Sequence, residues 1–475
     1  MSTATDRSAA AADSGASYAN LTPERLRALD AAHHLHPFTD HGDLRAAGSR
    51  IVTRADGPFV YDIEGTEILD GMAGLWCVNV GYGRHELAEA AAEQMRELPY
   101  YNSFFRCTTP SPVLLAQKLA EIAPTHMNQV FYGSSGSEAN DTALRLVRHY
   151  WALEGRPEKR IIISRDWAYH GSTIAATSLG GMGAMHGQLY GTVPDIRHVM
   201  CPYAFELAGP GESDHEFGLR AARAVEDAII EAGPDNVAAF IAEPIQGAGG
   251  VKIPPASYWP EIQAICERHD VLIMLDEVIT GYGRTGEWFA AQSMDIRADT
   301  MTTAKALTSG YQPLSALLVS DRIAGTLQEK GGEFFHGYTY SGHPVACAVA
   351  LANLAIIERE GLIDRVREET GPYLRQVMET VVAAHPIVGE ARSHGLLAAI
   401  EIVADKGTRA RFPGDLGGVT CRDRAIAHGL MMRAVGDTMI LSPPLIWTRR
   451  TIDMAVVRIM RALDETEAAL AGLRP

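Results

Sequence analysis

The chain has 475 residues, 47% hydrophobic and 21% charged, the composition of a globular protein with a sizeable core and room for two or three domains. Its 42 Lys+Arg against 58 Asp+Glu give a net charge of −16; an acidic surface repels nucleic acid and anionic membranes, so small molecules or other proteins are the expected partners. Six scattered cysteines without a CxxC pair point to reduced thiols in the cytoplasm, and no apolar run nears the ~20 residues that span a bilayer.

Residues 1–20 are rich in Ala and Ser, carry Asp6 and Asp13, and lack the hydrophobic segment of a secretory signal, so they read as a disordered tail. Thr22-Pro23 has the form of a helix cap followed by proline at the first helical position. The helix leads into HHLHP, His33–Pro37; the sequence offers no acid or cysteine to complete a ligand set there, and no metal is expected. Ile51–Leu69 alternates around turn glycines as a hairpin does.

From Trp76 onward the pattern changes. Unalternated apolar runs at Gln129–Tyr132, Arg160–Ser164, Val237–Ala242, Val271–Leu275 and Ser315–Ser320 are separated by helical patterns such as Glu138–Leu153 and Tyr258–His269. Such runs suit strands buried on both faces of a mostly parallel sheet, hence an α/β domain. After Gly342 come two long helical patterns, a hairpin-like Val388–Val403, a helix near Arg422 and a last helix from Thr451, which read as a smaller α+β domain. The expected organisation is a tail (1–20), a large domain (76–340), and a small domain made of 21–75 with 341–475, the N-terminal hairpin sharing its sheet.

Four stretches at strand ends carry chemistry. In TTAKALTSGYQPLSALLVS, Thr302–Ser320, Lys305 is the one charged side chain. A lysine there either snorkels to water or is desolvated, with a lowered pKa that suits a nucleophile. In FYGSSGSEAND, small residues between a strand and a helix let Ser135, Gly136 and Ser137 cradle a phosphate; the ordinary alternative is a plain turn. Asp276 closes the apolar strand of LIMLDEV and wants a cationic partner, and Tyr169 in DWAYHGST could stack on a flat ring. Gly281, Gly283 and Gly286 form a GxGxxG, but Asp-Glu-Val-Ile-Thr stands between it and the strand, so a nicotinamide dehydrogenase is the weaker reading. One cofactor uses the other four features together: pyridoxal 5′-phosphate needs a phosphate cradle, a stacking partner, a carboxylate for its ring nitrogen and a lysine for its aldehyde.

On these residues, together with DEVITGYGRTG followed by AKALTSG, the chain from about Leu29 onward resembles the class III aminotransferases, of the fold type I architecture of pyridoxal-phosphate enzymes. Within that family it looks most like the ω-amine:pyruvate transaminases, through DGMAGLWCVNVGYGR, SGSEAND, YHGST, AEPIQGAGGV, GYTYSGHPVA and MRAVGDTMILSPPL. The resemblance implies a large domain with a mostly parallel seven-stranded sheet and a homodimer, or a tetramer built from it. It also implies ping-pong transfer from a primary amine or ω-amino acid to pyruvate, giving alanine. Lys305 would form the Schiff base and shuttle the proton, and Asp276 would pair with the ring nitrogen. Val278 and Tyr169 would hold the ring faces, and Thr339 of the second subunit would join Ser135, Gly136 and Ser137 on the phosphate. Trp76, Phe38, Phe104 and Tyr338 would line the substrate pocket.

The departures are informative. Relatives that use 2-oxoglutarate carry glutamine where this chain has Ile279 and arginine where it has Ile440, which argues for pyruvate. Arg433 matches the mobile arginine of the pyruvate-using group, a fork able to grip a carboxylate. Trp167-Ala168 and Ala306 stand where relatives often have Asn-Gly and glycine, each adding bulk beside the expected cofactor, and Glu243 is placed near the site without a role. An aminomutase or a decarboxylase on the same cofactor is the alternative inside the fold.

Overall fold

The computed structural model describes residues 21–473; the expected tail, 1–20, lies outside the described residues. Three short strands come first, β1 (Val52–Asp56), β2 (Phe59–Asp62) and β3 (Glu67–Asp70). Seven more build the central sheet: β4 (Gln129–Gly133), β5 (Ile161–Arg165), β6 (Ile196–Val199), β7 (Val237–Ala242), β8 (Leu272–Asp276), β9 (Thr300–Thr303) and β10 (Ser315–Val319), in the order β4-β10-β9-β8-β7-β5-β6. Only β10 runs against the others. Every residue of β7 and β8 is buried, as unalternated apolar runs require of central strands covered on both faces.

Two of the seven strands are not apolar in sequence. β9, TMTT, is nonetheless buried throughout; of its hydroxyls, Thr303 Oγ1 is satisfied on both sides, donating to the Ala316 carbonyl at 3.0 Å and accepting from Tyr282 Oη at 2.9 Å. β6, IRHV, lies at the sheet's edge and is half-buried.

The remaining strands are β11 (Val388–His394), β12 (Leu397–Ile402), β13 (Leu430–Met431), β14 (Arg433–Val435) and β15 (Thr438–Leu441). β13 pairs parallel with β3, so a C-terminal strand completes the sheet of the N-terminal hairpin. β11, β12, β15 and β14 form a third, antiparallel sheet. Because β4, β5, β7, β8 and β9 point the same way, their carboxyl ends fall along one edge of the large sheet, where open α/β sheets bind ligands. Gly133, Arg165, Ala242, Asp276 and Thr303 end those strands, and each of the four stretches read above begins there.

Candidate active site

Lys305 opens a short 3-10 turn just after β9, with φ at +44°, a left-handed backbone that turns its side chain off the strand line. Its Nζ lies 5.5 Å from the centre of the Trp76 ring, and Arg433 Cζ lies 5.2 Å from the same ring. Among the described residues Lys305 Nζ has no hydrogen-bond or ion-pair partner. Burial pushes its pKa down; Cys77, Asp276 and Glu243 oppose this, and Arg433 adds to it. Lys305 is partly exposed, and burial together with the Arg433 guanidinium disfavours the charged form of its amine, against the attraction of the Trp76 ring face for a cation.

Asp276 ends β8 buried among three donors. Asn140 Nδ2 and His170 Nδ1 each reach Oδ2 at 2.8 Å, and the Val278 amide reaches Oδ1 at 3.0 Å. Asn140 also donates to the His170 carbonyl at 2.7 Å, locking the imidazole to the helix. Glu243, at the end of β7, accepts the Tyr169 amide at 3.2 Å and the Gly247 amide at 2.8 Å. Burial raises its pKa, with His170 opposing. Glu243 thus shapes the loop that carries Tyr169. Asn140 and His170 lay inside SGSEAND and YHGST, but only folding shows that both converge on Asp276.

The helix Gly136–Leu153 starts under this group, with Ser135 as its cap: Ser135 Oγ accepts the Glu138 amide at 3.2 Å. The Gly136 and Ser137 amides, first in the helix, have no acceptor within it, and the helix dipole adds positive potential there. A Cβ on Gly136 would meet Val278 Cγ2 at 3.0 Å, so the cradle and Val278 are in contact. Ser137 Oγ accepts the Ser172 amide at 3.0 Å, and Ser172 Oγ is 3.1 Å from Tyr169 Oη, which ties the cradle to the stacking tyrosine. Phe38 faces Tyr169 edge-on at 6.4 Å. A free lysine amine, a donor-lined carboxylate, open helix amides and Tyr169 fit pyridoxal phosphate group by group.

Phe104, Tyr338 and Thr339 form a separate group. A Cβ on Gly337 would lie 2.8 Å from Phe104 Cζ, Tyr338 Oη donates to the Glu138 carbonyl at 3.0 Å, and the Thr339 carbonyl accepts from Tyr100 Oη at 2.6 Å. Among the described residues no hydrogen bond, ion pair or ring contact joins them to Lys305 or Trp76 of the same chain.

The departures resolve into places. Ile440 and Ile279 share one buried apolar cluster with Trp76, and Ile440 pairs directly across the sheet with Arg433. Trp167, 45% exposed, turns outward over Lys252, whose Nζ is 4.4 Å from its ring. Ala306 puts its methyl into the main core. The bulk of Trp167 and Ala306 therefore goes to the surface and the core rather than to Lys305.

The GxGxxG loop has a packing role. A Cβ on Gly283 would lie 2.8 Å from Leu445 Cδ1, and one on Gly286 3.1 Å from Arg367 Cα. Between them Arg284, fully buried, donates to the Pro443 carbonyl and to Asn79 Oδ1. These glycines let the loop lie flat on the C-terminal part of the chain, and a four-residue helix, Ala290–Ser293, follows in place of a dinucleotide-binding helix.

Comparison with known proteins agrees with this geometry. The profile of the aminotransferase class-III family matches residues 44–463. The putrescine–pyruvate aminotransferase of Pseudomonas aeruginosa is 52% identical over 95% of this chain and 98% of its own. The diaminobutyrate–2-oxoglutarate transaminase of Halomonas elongata is 43% identical over 94% of this chain and 96% of its own. Among solved structures, the ω-transaminase of Pseudomonas jessenii in complex with PMP superposes with a TM-score of 0.92 at 40% identity, over 94% of this chain and 99% of that one.

Proposed function

The chain belongs to the class III aminotransferases, a family of pyridoxal-phosphate enzymes, and from that premise we propose that it carries an amino group from a primary amine or ω-amino acid to pyruvate, releasing alanine. The observation that carries the acceptor is the pairing of Arg433 with Ile440 across two strands beside Trp76. The cation that can hold a carboxylate stands at 433, and its neighbours at 440 and 279 are aliphatic. A second, longer carboxylate arm would meet hydrocarbon there and lose its hydration uncompensated. The relative that is 52% identical is named for pyruvate, which supports the reading.

Bound pyridoxal phosphate supplies a carbonyl carbon that takes up amines and a ring that accepts their electrons. Ser135, Gly136 and Ser137 would hold its phosphate, Tyr169 and Val278 its two faces, and Asp276 its ring nitrogen. Asn140 and His170 orient Asp276. Lys305 Nζ, its charged form disfavoured by burial, would take the proton released from the substrate carbon and hold it for return. Trp76 and Phe38 wall the donor side. Arg433 grips the keto acid's carboxylate and moves aside for an apolar amine.

The active unit in this reading is a homodimer. Leu75, Phe105, Phe335 and Tyr340 are all more than half exposed, an apolar surface that a second copy would cover. Phe104, Tyr338 and Thr339 would then complete the neighbouring site. Residues 21–75 with 341–475 act as the small domain around the large one, 76–340. Among the described residues no helix is long and apolar enough to cross a membrane, and the six free cysteines suit a reducing compartment such as the cytosol.

The test is a half-reaction. Holoenzyme is converted to its aminated cofactor form with a simple amine, the amine is removed, and pyruvate or 2-oxoglutarate is added separately. Return of the visible cofactor band with pyruvate alone is expected. Return with 2-oxoglutarate alone would overturn the acceptor, and failure of any amine to bleach the band would overturn the transaminase reading.

A further inference from the structure

The stretch HHLHP, read above as lacking an acid to complete a metal site, has one just ahead of it in Asp30, which the fold turns toward two of its histidines. Asp30 lies in the helix Pro23–His33, and His34 follows at i+4, on the same face. The chain then leaves the helix and turns back, bringing His36 to the same carboxylate. Asp30 Oδ1 is 3.0 Å from His34 Nδ1 and 2.9 Å from His36 Nε2, and Asp30 Oδ2 is 2.9 Å from His36 Nε2. The two imidazole centres are 4.2 Å apart, and one ligand atom from each residue falls within 4.8 Å of the others. Asp30 and His36 are sheltered, with side chains 18% and 24% exposed, and His34 closes the group from the solvent side at 62%.

From this geometry we propose that Asp30, His34 and His36 form a binding site for a divalent transition-metal ion of the zinc class, separate from the Lys305 site. Two imidazoles and one carboxylate are borderline ligands; they favour zinc, nickel or cobalt over magnesium or calcium, which take oxygen. Donors bound at ~2.0–2.1 Å to a tetrahedral ion stand ~3.3 Å apart, so each carboxylate–imidazole distance need open by only a few tenths of an ångström. His34 moves its proton to Nε2 and His36 moves its proton to Nδ1, leaving a lone pair from each ring and the carboxylate charge for the ion. Water fills the remaining position. The site matters by its place: His36 is two residues ahead of Phe38, whose ring faces Tyr169. An ion held by His36 and by Asp30 of the helix would fix the segment that carries Phe38 to the mouth of the active site.

The experiment uses tag-free holoenzyme titrated with zinc ion alone by calorimetry, with hydrogen exchange of residues 34–39 measured with and without the ion. One equivalent per chain is expected, with slowed exchange at 34–39. The double variant His34→Gln/His36→Gln should weaken binding by at least ~10- to 100-fold and abolish the protection. Asp30→Asn serves as a second, more conservative variant, and unchanged turnover of both shows that each is folded. No binding, binding undiminished in both variants, or binding without protection at 34–39 would each overturn the proposal.

Discussion

Lys305 and Arg433 share the Trp76 ring, so two potential cations lie 5.5 Å and 5.2 Å from one aromatic centre. Arg433 lowers the Lys305 pKa alongside burial. Replacing Arg433 by Ala removes a cation, lets the Lys305 pKa rise, and therefore moves the acid limb of the amine half-reaction to higher pH. The same variant should raise the KM for pyruvate by ~10- to 100-fold, the loss of a charge-assisted fork, while an apolar amine is still accepted. Stopped-flow traces of the two half-reactions at several pH values check both effects; equal damage to both would show that Arg433 is structural. Lys305→Ala should cost at least ~10³-fold in turnover, read in the same assay. Lys305 was legible because it is a lone charge in an apolar stretch. His170 and Asn140 were not, because their shared partner, Asp276, lies 106 and 136 residues away and only the sheet brings them together.

At the scale of elements, a buried charge network joins the third sheet to the loop that follows β7. Glu401 on β12 meets Arg392 and Arg411 at 2.7 Å each and accepts from Tyr203 Oη at 2.7 Å, while Arg392 reaches the carbonyls of Gly250 and Val251. Burial pushes the Glu401 carboxyl up, but the two guanidiniums prevail and hold it near about 2, below its ordinary 4.5. A carboxylate lowered by folding stabilises the fold above its unfolded pKa and loses that contribution as the pH falls. Glu401→Gln should therefore be less stable than the parent at neutral pH by about 3 kcal/mol or more, with the gap closing between pH 4.5 and about 2. Urea midpoints of both proteins against pH measure it; a gap that does not change with pH would assign the loss to packing. Sequence patterns miss such a network, since Arg392, Glu401 and Tyr203 look like ordinary surface residues until the strands pair. They also pass over β9, a polar-looking strand that is buried throughout and whose Thr303 hydroxyl is satisfied by Ala316 and Tyr282, and they make the GxGxxG suspect for chemistry when its glycines serve close contact with Leu445 and Arg367.

For the whole molecule, what matters is that one chain does not bring all the expected pocket residues to its own lysine. Lys305, Asp276, Trp76, Tyr169 and Arg433 converge, whereas Tyr338 bonds to the Glu138 carbonyl in the first turn of the helix Gly136–Leu153, Phe104 packs on Gly337 and Thr339 bonds to Tyr100. Exposed apolar residues occur on the same segments, Phe105 beside Phe104 and Tyr340 beside Thr339, 88% and 59% exposed. A second copy laid on that surface would cover them and give each site its missing wall, so activity should depend on pairing between chains. Lys305→Ala removes the amine; Thr339→Asp sets a carboxylate against the cofactor's phosphate in the neighbouring site, where like charges repel. Each homodimer should be inactive. Mixing the two under conditions that exchange subunits should restore turnover, because half of the sites in the mixed dimer then combine an intact Lys305 from one chain with an intact Thr339 from the other. Restored activity rising with the fraction of mixed dimer is the expected result. A mixture as inactive as its parents, with exchange verified by mass, would mean that Thr339 serves only the site of its own chain.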